Sequence, residues 1–147
     1  KKQRAKRVIY GNNLYIERKK VLSLEHGERT LNVLSLNPDS MNRGFINDCT
    51  HKMRQKQIHA ACIQETRLNK DVDYRTQDGF RVISCKAITR NGPPEAGVAI
   101  ILHSDIAGMV RNIIRHNERV LQVTLQNDKN DIVLNLFSIY APRNGHR

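Results

Sequence analysis

Acidic residues are scarce in this sequence. Fourteen Asp and Glu stand against 25 Lys and Arg in 147 residues, a formal charge of +11. That deficit turns the chain toward anionic partners, such as nucleic acid, a phosphorylated ligand or an anionic surface. Cysteine is also sparse. Cys49, Cys62 and Cys85 are odd in number and have no metal-like spacing, which argues against a disulfide framework or a cysteine-built metal centre. Cys49 and Cys62 lie in apolar patterns and read as buried thiols, so an intracellular reducing compartment (nucleus or organelle) is expected. No apolar run approaches the roughly 18 residues of a membrane span. The sequence opens on Lys1 rather than Met, so a missing or processed N-terminus is expected.

The length suits one domain. Much of the basic excess comes early: the first twenty residues hold eight Lys or Arg and one acid, Glu17. Residues 1–20 therefore read as a basic arm, with 21–147 as the domain proper. Within the arm, Val8-Ile9-Tyr10 and Leu14-Tyr15-Ile16 flank Gly11-Asn12-Asn13, a hairpin pattern. Val21–Glu25 reads as a further strand.

Leu31–Leu36 alternates like a strand with one buried face, and Asn37-Pro38-Asp39-Ser40 breaks it. Asp39 or Ser40 is placed to cap the helix that follows. Phe45, Ile46, Cys49 and Met53 recur at helical spacing. Ala60–Ile63 is a second strand, making a strand–helix–strand unit with parallel strands. Beyond it, Gly79–Cys85 and Gly97–Leu102 read as strands around a loop at 90–95, and Val120–Leu125 with Ile132–Tyr140 as a hairpin. The sum is α/β, richer in strands than in helices.

Three strand ends carry groups suited to phosphate chemistry: Asn37, Glu65 after Gln64, and Tyr140. Functional groups gather where α/β strands end. A carboxylate binds a hard cation such as Mg²⁺, while an amide and a phenol can each donate a hydrogen bond to a phosphate. Each also has an ordinary structural reading, as a cap, a strand meeting water, or a strand terminator.

Four segments together resemble the endonuclease/exonuclease/phosphatase superfamily, the DNase-I-like fold. They are "LNVLSLNPDSM", "AACIQETRL", "EAGVAIIL" and "LNLFSIYAPRNG". They run in family order from about Leu31 to Asn144 and are nearest the apurinic-type endonuclease domain that precedes the reverse transcriptase of non-LTR retrotransposons. The resemblance implies that Glu65 is an Mg²⁺ ligand. It further implies that Asn37 helps position the catalytic centre, that Tyr140 hydrogen-bonds the scissile phosphate, and that Arg143 and Asn144 contact nucleic acid. It also implies the N-terminal half of a four-layer α/β sandwich, one mixed sheet with helices on its outer face.

The sequence departs from the family pattern at several places. Leu36 replaces an aromatic, Ala96 replaces the first of two glycines, and His59-Ala60 stands where the family tends to have Asp-Ile. No Asp-x-Asn or Ser-Asp-His occurs. The expectation is therefore a partial Mg²⁺-dependent endonuclease domain, inactive as this chain. Its inner sheet face is expected to be bare unless a second protein chain or a missing C-terminal half covers it. The alternative is a non-catalytic RNA-binding or structural subunit of a large ribonucleoprotein assembly derived from such a domain. A lipid or nucleotide phosphatase is a third reading.

Overall fold

A computed structural model describes residues 7–9, 14–22 and 28–141. Ten strands and two helices follow in order: β1 (Arg7–Ile9), β2 (Leu14–Leu22), β3 (Glu28–Leu36), α1 (Phe45–Gln55), β4 (Ala60–Gln64), β5 (Val72–Arg75), β6 (Arg81–Cys85), β7 (Val98–Leu102), α2 (Ser104–Ala107), β8 (Val110–Asn117), β9 (Val120–Gln126) and β10 (Ile132–Ile139). The protein is mixed α/β and mostly strands. It has two sheets where one was expected, one of seven strands in the order β1-β2-β3-β4-β7-β6-β5 and one of three, β10-β9-β8.

The expected strand–helix–strand unit is present. β3 and β4 pair in parallel from Val33↔Ala60 to Leu36↔Ile63, with α1 crossing between them. Cys49 and Met53 on the helix pack with Leu34, Ala61, Ile63, Ala99 and Ile101 on one face of the large sheet. The cap differs from expectation. Gly44, at φ 88°, is the N-cap and no side chain caps the helix, while Asp39 lies upstream and bonds Arg67 instead.

The opposite face of the large sheet was expected to be bare. It is not: Ala60, Val98, Ile100 and Leu102 have no exposure. The three-stranded sheet folds over them and contributes Leu121, Val123, Leu125, Leu134 and Leu136 to a shared core. Helix, sheet and sheet thus make three layers. The apolar side chains left open on β10 are Ile132, Phe137 and Ile139, which alternate with the buried ones and face away from the large sheet.

The early hairpin exists as β1 paired to β2, and its turn at 10–13 lies outside the described residues. Val21 and Leu22 end β2 and do not start a strand of their own, because β2 pairs with β3 without a break from Leu14↔Leu36 to Leu22↔Glu28. Two strands were not foreseen. β5 is short, charged and largely exposed. β8 carries two register shifts, which break the alternation that marks a strand in sequence. Among the described residues no helix is long and apolar enough to cross a membrane.

Candidate functional site at the strand ends

Leu36 is the pairing partner of Ile63 in adjacent parallel strands. Asn37 and Glu65 therefore leave the sheet at neighbouring positions on one edge. Strict alternation would send Glu65 toward the helix side, with Ala61 and Ile63. Glu65 instead adopts φ 50° and ends the strand. Its carboxylate accepts a hydrogen bond from the phenol of Tyr140, which follows β10 on the same side as Ser138 and Leu136. Two of the three residues singled out by sequence thus meet across two sheets, 75 residues apart in the chain. The residue Glu65 is 4 % exposed.

Left-handed backbone at a non-glycine residue costs on the order of 1–3 kcal/mol and persists only where its surroundings enforce it. Here the turn Glu65–Thr66–Arg67 is clasped by the segment before β7. The amide of Thr66 donates to the carbonyl of Gly97 and that of Arg67 to Ala96, both at 3.0 Å. Gly97 has φ 86°, and a Cβ there would run into Thr66 Oγ1 and stand 3.2 Å from Arg67 N. Ala96 is itself left-handed at φ 62°. Gly97 is thereby explained: the segment must pass close beneath the turn that presents the carboxylate.

Asn37 is close by in the chain path but engaged locally. Its Oδ1 accepts from the amide of Asp39 at 2.9 Å, the side-chain turn typical of Asn after a strand. Its loop is tied to the Glu65 turn by Met41 N donating to Thr66 O at 2.9 Å. Arg143 and Asn144 lie outside the described residues.

Two further residues belong to the site. Arg67 donates to Asp39 Oδ1 at 2.9 Å, and its Nη2 lies 3.8 Å from Glu65 Oε2. Arg119, in the β8–β9 turn, accepts from Tyr140 N through its carbonyl at 2.9 Å and stacks its guanidinium over the Tyr140 ring, 5.2 Å from the centroid. Among the described residues Arg119 Nη1 is buried with no hydrogen-bond partner, and such a donor is well matched to an anionic oxygen. Arg67 could have been suspected from "QETR". Arg119 carries no comparable signal, since only the folded turn brings it to Tyr140.

A magnesium ion is commonly held by one or two carboxylates, with water and substrate phosphate completing its oxygen shell. The donor set fits that pattern. Glu65 offers a carboxylate, approached by Tyr140 and Arg67, and Asn37, whose Oδ1 also accepts from Asp39 N, brings an amide to the neighbouring strand end. Among the described residues no three His, Cys, Asp or Glu side chains gather to hold a metal. The guanidinium of Arg67 beside Glu65 also opposes a lone second cation. The arrangement therefore favours a cation that arrives with an anion, as Mg²⁺ with a phosphate does.

His59, His103 and His116 are engaged elsewhere. His59 accepts from Asn32 N, His103 caps α2 and His116 contacts Gln122. No family model and no curated protein matches this chain.

Proposed function

We propose that this strand-end cluster is the cation- and phosphate-binding part of a Mg²⁺-dependent phosphodiesterase site, of the DNase-I-like endonuclease type, acting on nucleic acid. The contact between Tyr140 and Glu65 carries this reading. A buried carboxylate and a phenol are delivered to one point by two separate sheets, beside the strand end that holds Asn37. The four-layer sandwich of that superfamily is the fold to which the three described layers are assigned on the same reading.

In this scheme Glu65 would hold the ion with Asn37 beside it, and a bound ion would supply charge to polarise a phosphodiester and its leaving oxygen. Tyr140, whose single O–H is given to Glu65 in the structure, would turn it to a phosphate oxygen once the ion takes up the carboxylate. Arg119 and Arg67 neutralise phosphate charge, the former through an N–H with no partner among the described residues. Arg143 and Asn144 extend the nucleic-acid contact, by resemblance. Cleavage further needs an acid or base, and no described histidine is bonded to this cluster.

The test is a titration of a DNA duplex with and without Mg²⁺, with supercoiled-plasmid nicking measured in parallel. Binding that tightens with Mg²⁺ in the wild type and loses that dependence in Glu65→Gln is expected. Equal Mg²⁺ dependence in both proteins would contradict the assignment. The net charge favours a second reading, a non-catalytic RNA-binding module. It predicts no nicking, together with RNA affinity that falls steeply with salt as neutralised phosphates release counterions and is unchanged by Glu65→Gln.

A further inference from the structure

We infer that Ser138 and Gln64, with Ser35, form a polar clamp between the two sheets that positions Tyr140 against Glu65. The inference rests on the reading of that pair as the site.

Ser138 is completely buried. Its hydroxyl donates to the carbonyl of Ile63 at 2.8 Å, a bond from β10 to β4. The side-chain amide of Gln64 donates to Ser138 Oγ at 3.3 Å and to Cys62 O at 3.0 Å. Ser35, on β3, donates to Gln64 Oε1 at 3.4 Å. Three strands from two sheets are thus joined by one hydrogen-bonded chain inside an otherwise apolar layer.

The location is what gives the clamp its consequence. Ser138 stands two residues before Tyr140 on the same side of β10. Ile63 stands two residues before Glu65 on β4. The surrounding Val, Leu and Ile contacts are non-directional and tolerate one sheet sliding over the other. Hydrogen bonds do not tolerate it, since they weaken steeply with distance and angle, and a satisfied buried network selects one arrangement. The bond from Ser138 to Ile63 therefore sets how far along β4 the end of β10 falls. Tyr140 and Glu65, one strand repeat further on, inherit that setting. Ser138 and Gln64 are positioning residues; neither is asked to touch a ligand.

The experiment labels the protein with tyrosine carrying ¹³C at Cζ, whose shift reports phenol hydrogen bonding, and assigns Tyr140 by its loss in Tyr140→Phe. Ser138→Ala, Ser138→Thr and Gln64→Met are compared with wild type, with far-UV circular dichroism confirming the fold. In folded Ser138→Ala and Gln64→Met the Tyr140 resonance is expected to move toward its position in Glu65→Ala, which removes the acceptor. Ser138→Thr, which keeps the hydroxyl, is expected to restore it. Mg²⁺-dependent DNA affinity should fall at least about tenfold in step, because small errors of placement are costly at such sites. A Tyr140 resonance unmoved in either folded variant, Ser138→Ala or Gln64→Met, overturns the clamp. Wild-type protein that binds no DNA with Mg²⁺ overturns the functional reading alone, since the resonance still tests the clamp.

Discussion

Gly97 and Ala96 have the same left-handed backbone but opposite tolerance. At Gly97 a methyl group meets Thr66 and the backbone of Arg67, and neither can retreat without moving the turn that holds Glu65. Gly97→Ala is expected to destabilise the fold by about 2–4 kcal/mol through strain and overpacking. At Ala96 the methyl is already accommodated at φ 62°. Ala96→Gly removes strain while adding freedom to the unfolded chain, so a change between zero and about 1 kcal/mol of stabilisation is expected. Chemical denaturation of both variants measures the contrast. Equal losses would show that the close approach to the Glu65 turn does not matter. The need for glycine here was suggested by the "AGVAI" pattern, but its cause was not, because the neighbour that forbids a side chain lies some thirty residues earlier in the chain.

Among the elements, β5 is joined to the buried strand β6 with little apolar burial of its own. β5 exposes most of its length. Asp73 accepts from Arg81 Nε at 2.9 Å and Nη2 at 3.0 Å, a bidentate pair across the strands. The hydrogen bond from Arg81 holds the Asp73 carboxyl below its usual range, against the opposing pull of partial burial. A carboxyl depressed in the folded state contributes stability above its unfolded pKa and loses it as pH falls through the folded value. Asp73→Asn should therefore lower Tm at neutral pH. The gap to wild type should close as pH drops below the ordinary carboxylate range toward the depressed value. A gap that is constant across that acid window would remove the ion pair as its cause. β5 escaped the sequence reading for the same reason: its stabilising contact is a charge pair to a later strand, which no hydrophobic period reveals. The helix α1 and strands β4 and β7 were legible because their own apolar spacing marks the buried face.

For the whole molecule, the three packed layers make all three cysteines inaccessible. Burial raises the thiol of Cys49 to about 11, Cys62 to about 12 and Cys85 to about 11. The thiolate is the reactive form, so at neutral pH these groups are protonated as well as shielded. Labelling by a thiol reagent is expected to be negligible in the native protein and to appear only with unfolding, all three together. Rapid labelling of one cysteine under native conditions would show that the corresponding layer opens locally. Cys62 and Cys85 face the layer between the sheets, whereas Cys49 faces the sheet from α1, so separate rates distinguish the two layers.

The amino-acid order by itself determined most of the strands, β5 and β8 excepted, and the apolar face of β4, β7 and β9. It also determined that β3, α1 and β4 form a parallel unit, and that Asn37, Glu65 and Tyr140 stand at strand ends. These are consequences of local periodicity and short-range breaks. Only the tertiary structure decided that β8, β9 and β10 form a separate sheet and fold over the face expected to be bare. The same closure brought Tyr140 to Glu65 and set Arg119 beside them. Alternation states that a face is apolar but not what covers it. The partner is chosen by pairings dozens of residues apart, made directional by the few buried hydrogen bonds that join the layers.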